Sequence, residues 1–387
     1  RFFNGWPVDK RLFSHPISII IGSMMVWMAI TTVTSYDPLV SLKFMTSRAW
    51  FIVSFFFFLG HIMLHKPEFR ERMVMLLLFP LCIVVVYTVI RHAGYDFSKH
   101  AGHWMMKPFF KDHTSYGAVL AMMLPPAIAL LSKKDRPTLP RLLIGIATVI
   151  IAIGLILSFT RAAWVSLAGV GVLFIAMRIG IKLKTLASIG AVVVVVLLVN
   201  FDTLMIDLQR NKQDSSDNLT QHVKSISNIS SDDSNLERLN RWSCAVSLFQ
   251  ERPITGWGPG TYQFVYAPFQ KSDLKTTIST NNADGGNAHS EYLGPLAEQG
   301  VMGGVLVLLL IWWASIVGFR LWNNLKNKEE RNLAVSIYLG LMTYFIHGVL
   351  NNYLDTDKAS APFWGFLALL VVLDIESRNK TLPKATA

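Results

Sequence analysis

The chain has 387 residues, of which 52% are hydrophobic and only 16% charged, against about 25% charged in an average soluble domain. With a mean hydropathy of +0.40, this excludes a disordered chain, a coiled coil and an ordinary soluble enzyme, and it implies an all-α polytopic membrane protein. The net charge of +11 is no nucleic-acid signature, because it is distributed as membrane topology requires.

A helix needs about 20 apolar residues to cross the hydrocarbon core. Ten stretches meet or approach that length: 16–35, 47–65, 72–90, 114–132, 141–159, 162–178, 185–201, 300–320, 333–351 and 361–375. The chain starts at Arg1 and not at Met, so a bundle of ten transmembrane helices is a minimum. The last stretch is short, as a tilted or partly interfacial helix would be. Three regions follow: about seven helices in 1–201, a loop domain in 202–299, and about three helices with a tail in 300–387. With 35–46 placed outside, Lys and Arg divide 20 inside to 16 outside. Eight of the outer ones lie in the long loop, which translocates regardless of charge. Short basic loops such as 132–136 therefore face the cytoplasm and anionic lipid, and the long loop faces outward. Cys82 lies in an apolar run and Cys244 in a polar region, so no disulfide is expected.

Within the loop, Asp214–Asn235 is rich in Ser, Asp and Asn and reads as poorly packed. In 235–251 the residues Leu236, Leu239, Trp242, Val246 and Phe249 recur at helical spacing, with Ser234 as a candidate N-cap. Arg252-Pro253 and Gly256-Trp257-Gly258-Pro259-Gly260 then predict a tight turn. A second helix is expected from about Asn287 through Leu296, which places His289 in its first turn.

Polar residues in this setting are candidates for chemistry. Arg161 follows Ser158-Phe159-Thr160 in a short hairpin at the outer interface, where it either snorkels or serves a site. Arg238 and Arg241 lie three apart on the loop helix, and Trp242 is four from Arg238. They are either solvated surface charges or a binding face. His289, after Gly285-Gly286, has the side chain best suited to act as a base near neutrality; a lone histidine is otherwise structural. His92, His100, His103 and His113 are spaced too irregularly for a metal motif. His347, Asn351, Asn352, Asp355, Asp357 and Lys358 form either a hydrogen-bond network or a sugar-binding rim.

Three segments in order carry a resemblance. Ser158-Phe159-Thr160-Arg161-Ala162 is one. Arg238-Leu239-Asn240-Arg241-Trp242 with Arg252-Pro253-Ile254-Thr255-Gly256-Trp257-Gly258 is the second. Ala288-His289-Ser290-Glu291-Tyr292-Leu293 with Glu298-Gln299-Gly300 and Gly303 is the third. Together they resemble the O-antigen ligase and polymerase family of bacterial envelope glycosyltransferases, although Ser290 stands where that family usually has Asn. The resemblance implies transfer of a glycan from undecaprenyl diphosphate, at the periplasmic face of the inner membrane. The acceptor is a lipid A–core sugar for a ligase and another lipid-linked glycan for a polymerase. It implies an inverting displacement without cofactor or metal, though Asp355-Thr356-Asp357 leaves a metal-dependent variant open. The partners are these two substrates and membrane lipids, with no nucleic acid. His289 becomes the base, and Arg161 and Arg238 the diphosphate ligands. Arg238 matches the family arginine better than Arg241 does. Arg241, Trp242, Glu291, Tyr292 and His113 become substrate contacts. A protein O-oligosaccharyltransferase would use the same parts. A secondary transporter would show inverted repeats, and none is evident.

The topology can be checked by cysteine labelling with a membrane-impermeant reagent. A cysteine introduced near Asn218 should react from outside and one near Lys134 should not; the reverse pattern would invert the bundle.

Overall fold

The computed structural model describes residues 9–133, 135–200, 233–275, 279 and 286–381. The expectation of a poorly packed 214–235 stretch falls almost wholly outside these residues. All the regular structure among them is helical. The long helices are α1 (Pro16–Val33), α2 (Pro38–His65), α3 (Glu68–Ala93), α4 (His113–Leu131), α5 (Thr138–Leu157), α6 (Arg161–Arg178), α7 (Leu183–Val199), α8 (Asp233–Glu251), α9 (Leu293–Asn324), α10 (Lys328–His347) and α11 (Asp357–Thr381).

Eight of these are long and apolar enough to cross a membrane. The other two predicted stretches form α7, a shorter apolar helix, and α10, which opens on Lys328, Glu329, Glu330 and Arg331, residues that lower its mean hydropathy. The starts are encoded locally. Asp37 accepts from Leu39 N at 3.0 Å and Val40 N at 3.1 Å, with Pro38 opening α2. Asp112 accepts from Ser115 N at 2.7 Å to cap α4, and Asn327 caps α10. Each satisfies N–H groups that a first helical turn leaves without partners. The predicted 47–65 span is the second half of the longer rod α2, which is π-helical over Ile52–Phe58.

The 361–375 stretch is short only as an apolar run, being part of a longer helix. It is the middle of α11, a 25-residue helix whose apolar window is 89% buried, against 22% for α2. Helix α11 packs against α2, α9 and α10, and α10 runs along α4. Outward-facing apolar side chains such as Val26, Trp50, Ile83 and Val172 cover the rim, as a surface dissolved in lipid requires. At one end of the bundle, buried Asp374 takes His15, Arg320 and Arg378, and Glu71 takes Lys133 and Arg136. The other end holds the site.

The site end is organised by a break in α9. Gly300 has φ +68°, so the backbone there stops being helical. The carbonyls of Ala297, Glu298 and Gln299 are taken by Trp257 N (3.2 Å), Gly258 N (2.8 Å) and the Trp27 indole (2.8 Å), while Val301 N donates to Pro253 O at 2.9 Å. The predicted tight turn at 252–260 thus exists to fill this break. Its other side holds the α1–α2 turn: Tyr36 N donates to Trp257 O and the Ser41 hydroxyl to Pro259 O, both at 2.8 Å.

A Cβ at Gly300 would lie 2.1 Å from Ile254 O, in a left-handed conformation. Gly300→Ala should therefore lose more than about 1 kcal/mol, lowering the thermal transition of the detergent-solubilised protein by at least about 2 °C. Gly22→Ala, with nothing within 4 Å of the added carbon, is the control and should not lower it.

Candidate active site

Helix α8 is described over Asp233–Glu251, and the cap expected at Ser234 lies outside the residues whose side chains are described. The apolar stripe read from spacing is buried in part, with Leu239 buried and Leu236 and Trp242 packed against Leu274, but the helix buries a second face as well. Val246 is 40% exposed, whereas Glu237, Asn240, Arg241, Cys244, Ala245 and Leu248 are buried. Hydrophobic periodicity misses this face because half of it is polar. Arg241 Nε donates to Glu237 at 2.6 Å, and its guanidinium lies 3.9 Å from the centre of the Tyr266 ring. Asn240 accepts from Lys271 N at 3.1 Å, pinning the 267–275 segment. Arg238, half-buried, lies on the same helix one turn ahead of Trp242.

The expected helix from Asn287 does not form. Residues 286–290 are irregular, and α9 begins only at Leu293. His289 adopts φ +47°, with its N–H donating to Asn287 Oδ1 at 3.1 Å. Its carbonyl accepts from the Trp242 indole at 3.3 Å. Gly286 has a steric purpose, since a Cβ there would fall 1.5 Å from Arg241 Nη1. His289 keeps part of its surface open but is ringed by protein. That burial, with the guanidiniums of Arg238 and Arg241, lowers its pKa to about 4, against the opposing pull of Glu237 and Asp112. It is a neutral imidazole at pH 7.

Behind this pair lies a hydrogen-bond network. Glu291 Oε1 accepts from the Tyr344 hydroxyl (2.5 Å), Tyr353 N (2.8 Å) and Leu354 N (3.0 Å), and Glu291 N donates to Gly348 O. Burial pushes this carboxyl above its usual pKa, while Arg48 and the donors work the other way. The Tyr292 hydroxyl donates to Phe345 O at 2.8 Å. These contacts tie the α9 start to the α10–α11 connection. The Tyr353 hydroxyl donates to Thr114, which donates to Asp112 Oδ1 at 2.7 Å. Burial alone would raise the Asp112 pKa, but the Ser115 N–H and the Thr114 hydroxyl outweigh it and hold the carboxylate ionised. His347 is buried, with Nε2 3.1 Å from Asn351. Asp355 pairs with Arg48 at 2.8 Å and Asp357 with Lys358 at 2.7 Å. Contacts join members of this cluster to one another, and Asn352 and Asp355 also line the cavity described below.

Arg161 opens α6. The preceding residue, Thr160, donates to His113 O at 2.8 Å, which sets Arg161 beside the start of α4. His113 stacks on His103 with ring centres 4.2 Å apart.

A cavity of about 520 Å³ opens beside these elements. Its floor is apolar, with Met24, Met28, Leu306 and Leu310. Its wall is polar, with Asp112, Asn287, Glu291, Asn352 and Asp355. Ala288 and Ser290 line it on either side of His289. The sequence-predicted residues Arg238, Arg241, Trp242, His289, Glu291 and Tyr292 are thus brought together, and Arg161 joins His113 through Thr160. Sequence reasoning missed Asp112, Thr114, Tyr353 and Glu237. Asp112 carried a signal, as an Asp directly before an apolar helix; the others are visible only through their contacts. Among the described residues no three His, Cys, Asp or Glu side chains gather as a metal set.

A search of curated proteins finds no match to the chain. Residues 146–308 match the family model described as O-antigen ligase. The matched stretch contains Arg161, Arg238, His289 and Glu291 and excludes Asp112, His113 and Tyr353. The chain is a multi-pass membrane protein, and over residues 146–308 it is similar to the family described as O-antigen ligase.

Proposed function

We propose that the chain transfers a glycan from undecaprenyl diphosphate to a sugar hydroxyl of a lipid A–core acceptor, at the periplasmic face of the bacterial inner membrane. One observation carries this reading: a neutral His289 and the Arg238 guanidinium share one electrostatic neighbourhood, beside a cavity with an apolar floor and a polar wall. Both substrates are amphiphiles, and such a cavity suits a sugar head on a lipid anchor.

In the mechanism, Arg238 and Arg161 bind the donor diphosphate as planar forks. The acceptor oxygen attacks the anomeric carbon, the bond to the diphosphate oxygen breaks, and the configuration inverts. The leaving group departs as undecaprenyl diphosphate, its developing charge met by the guanidiniums. The acceptor proton passes to neutral His289. An imidazole with a pKa near 4 is a weak base, but the arriving diphosphate offsets the two guanidinium fields that depress it. Donor binding therefore raises the proton affinity of His289 at the moment it is needed, with ionised Asp112 left as the counter-field.

Purified protein, a lipid-linked glycan and alternative acceptors test the reading. Lipid A–core should be glycosylated. Product only on a second lipid-linked glycan would make the chain a polymerase, and product only on protein hydroxyls an O-oligosaccharyltransferase. His289→Ala should lose about 10²–10⁴ in turnover with donor binding retained. Near wild-type turnover would remove the base role. Arg161→Ala and Arg238→Ala should lose donor affinity, and Arg161→Lys should restore little, since a point charge does not replace a planar fork.

The pH dependence follows in sign. Only neutral His289 accepts a proton, and burial and guanidiniums favour the neutral form. The acid limb of kcat/KM should thus lie near pH 4, below the ordinary histidine value of about 6.5. EDTA should leave the rate unchanged.

A further inference from the structure

Arg241 and Arg238 are both arginines of one helix near one histidine, yet their surroundings differ. Arg241 is 5% exposed. Its Nε is held by Glu237, itself 5% exposed and bonded to the Ser279 hydroxyl. One face of the guanidinium lies on the Tyr266 ring, which stacks in parallel on Tyr262 at 5.3 Å. The Tyr262 hydroxyl in turn donates to Arg241 O at 2.7 Å. The tip of the side chain occupies the space a Cβ at residue 286 would need, and Nη1 there is buried with no hydrogen-bond partner among the described residues. A guanidinium enclosed by a carboxylate, an aromatic ring and a glycine backbone leaves no open edge for a planar two-oxygen ligand.

What it does touch is the segment that carries His289. Arg241 meets Gly286, and the next residue, Trp242, holds His289 O. Two consecutive residues of α8 thus fix both ends of the 286–289 segment, whose last residue is held in the left-handed region. Such a conformation in a non-glycine residue persists only where its surroundings over-determine it.

We propose that Arg241 is a positioning residue and not a diphosphate ligand: clamped by Glu237 and Tyr266, it presses on Gly286 and so fixes where the His289 imidazole stands. This rests on the reading of His289 as the base. The clamp has an electrostatic side too. Four charged groups face His289, namely Arg238, Arg241 and Glu237 from α8 and Asp112 from the segment before α4. Arg241 is one of the two cations that disfavour its protonation.

Two variants test the proposal from opposite directions. Arg241→Met keeps bulk against Tyr266 and removes the charge; Gly286→Ala keeps the charge and disturbs the contact. In both, kcat should fall between about 10- and 100-fold, the cost of a small misplacement, while the donor KM stays at the wild-type value. In Arg241→Met the acid limb of the rate profile should also move to higher pH, because a cation beside the histidine is gone; in Gly286→Ala it should stay. A rise in donor KM for Arg241→Met that matches Arg238→Ala would make Arg241 a diphosphate ligand and overturn the proposal. Wild-type kcat in Gly286→Ala would overturn it as well, even if Arg241→Met failed to fold. Failure of the underlying reading looks different: His289→Ala would remain active whatever Arg241 does.

Discussion

A polar backbone group inside a membrane has no water to turn to, and leaving one unmatched costs several kcal/mol. Helix α9 violates its own regularity at Gly300, and the surrounding architecture is the remedy. Carbonyls released at the break are met by the 252–260 turn and by the Trp27 indole. That turn is anchored in the α1–α2 connection, so the first two helices, the loop and α9 become one unit. The segment just before α9 carries His289, and helix α8 leads into the turn. The geometry of the base therefore depends on a backbone accounting problem solved some residues away.

The second organising element is the polar face of α8. Burying Glu237, Asn240 and Arg241 is costly unless each is matched, and each makes contacts with the 262–289 segment. A purely apolar face would have packed α8 with less penalty but with less angular definition. Here the pairing sets register between two loop segments that have no regular structure in common. The result is a rigid support for one imidazole made without a sheet.

Much of this was legible before any coordinates. Apolar runs located all eight helices long enough to cross a membrane among the described residues, and Pro253, Gly256, Gly258 and Gly260 announced a turn. The motifs around Arg238 and His289 named residues that come together, and the one around Arg161 reaches the start of α4 through Thr160. What resisted was whatever depends on partners distant in sequence. The 361–375 run looked marginal because its length was judged alone, yet it is the best-buried helix of the bundle. The α8 stripe is buried in part, at Leu239 with Leu236 and Trp242 against Leu274, and the second, half-polar buried face escapes a periodicity that counts only apolar residues. The helix expected from Asn287 failed because Asn287 caps a left-handed His289 and not a first turn. Asp112 and Tyr353 lie outside the motif-bearing segments and meet the site only through folding.

The burial of α11 has a consequence for biogenesis. In chain order it follows the helices it packs against, yet it fills the centre. Until it emerges from the ribosome, the earlier helices enclose no finished interior: the faces of α2, α9 and α10 that it covers must be shielded by lipid or by the insertion machinery. Assembly of this bundle thus closes from the inside, with its keystone placed after the helices that surround it.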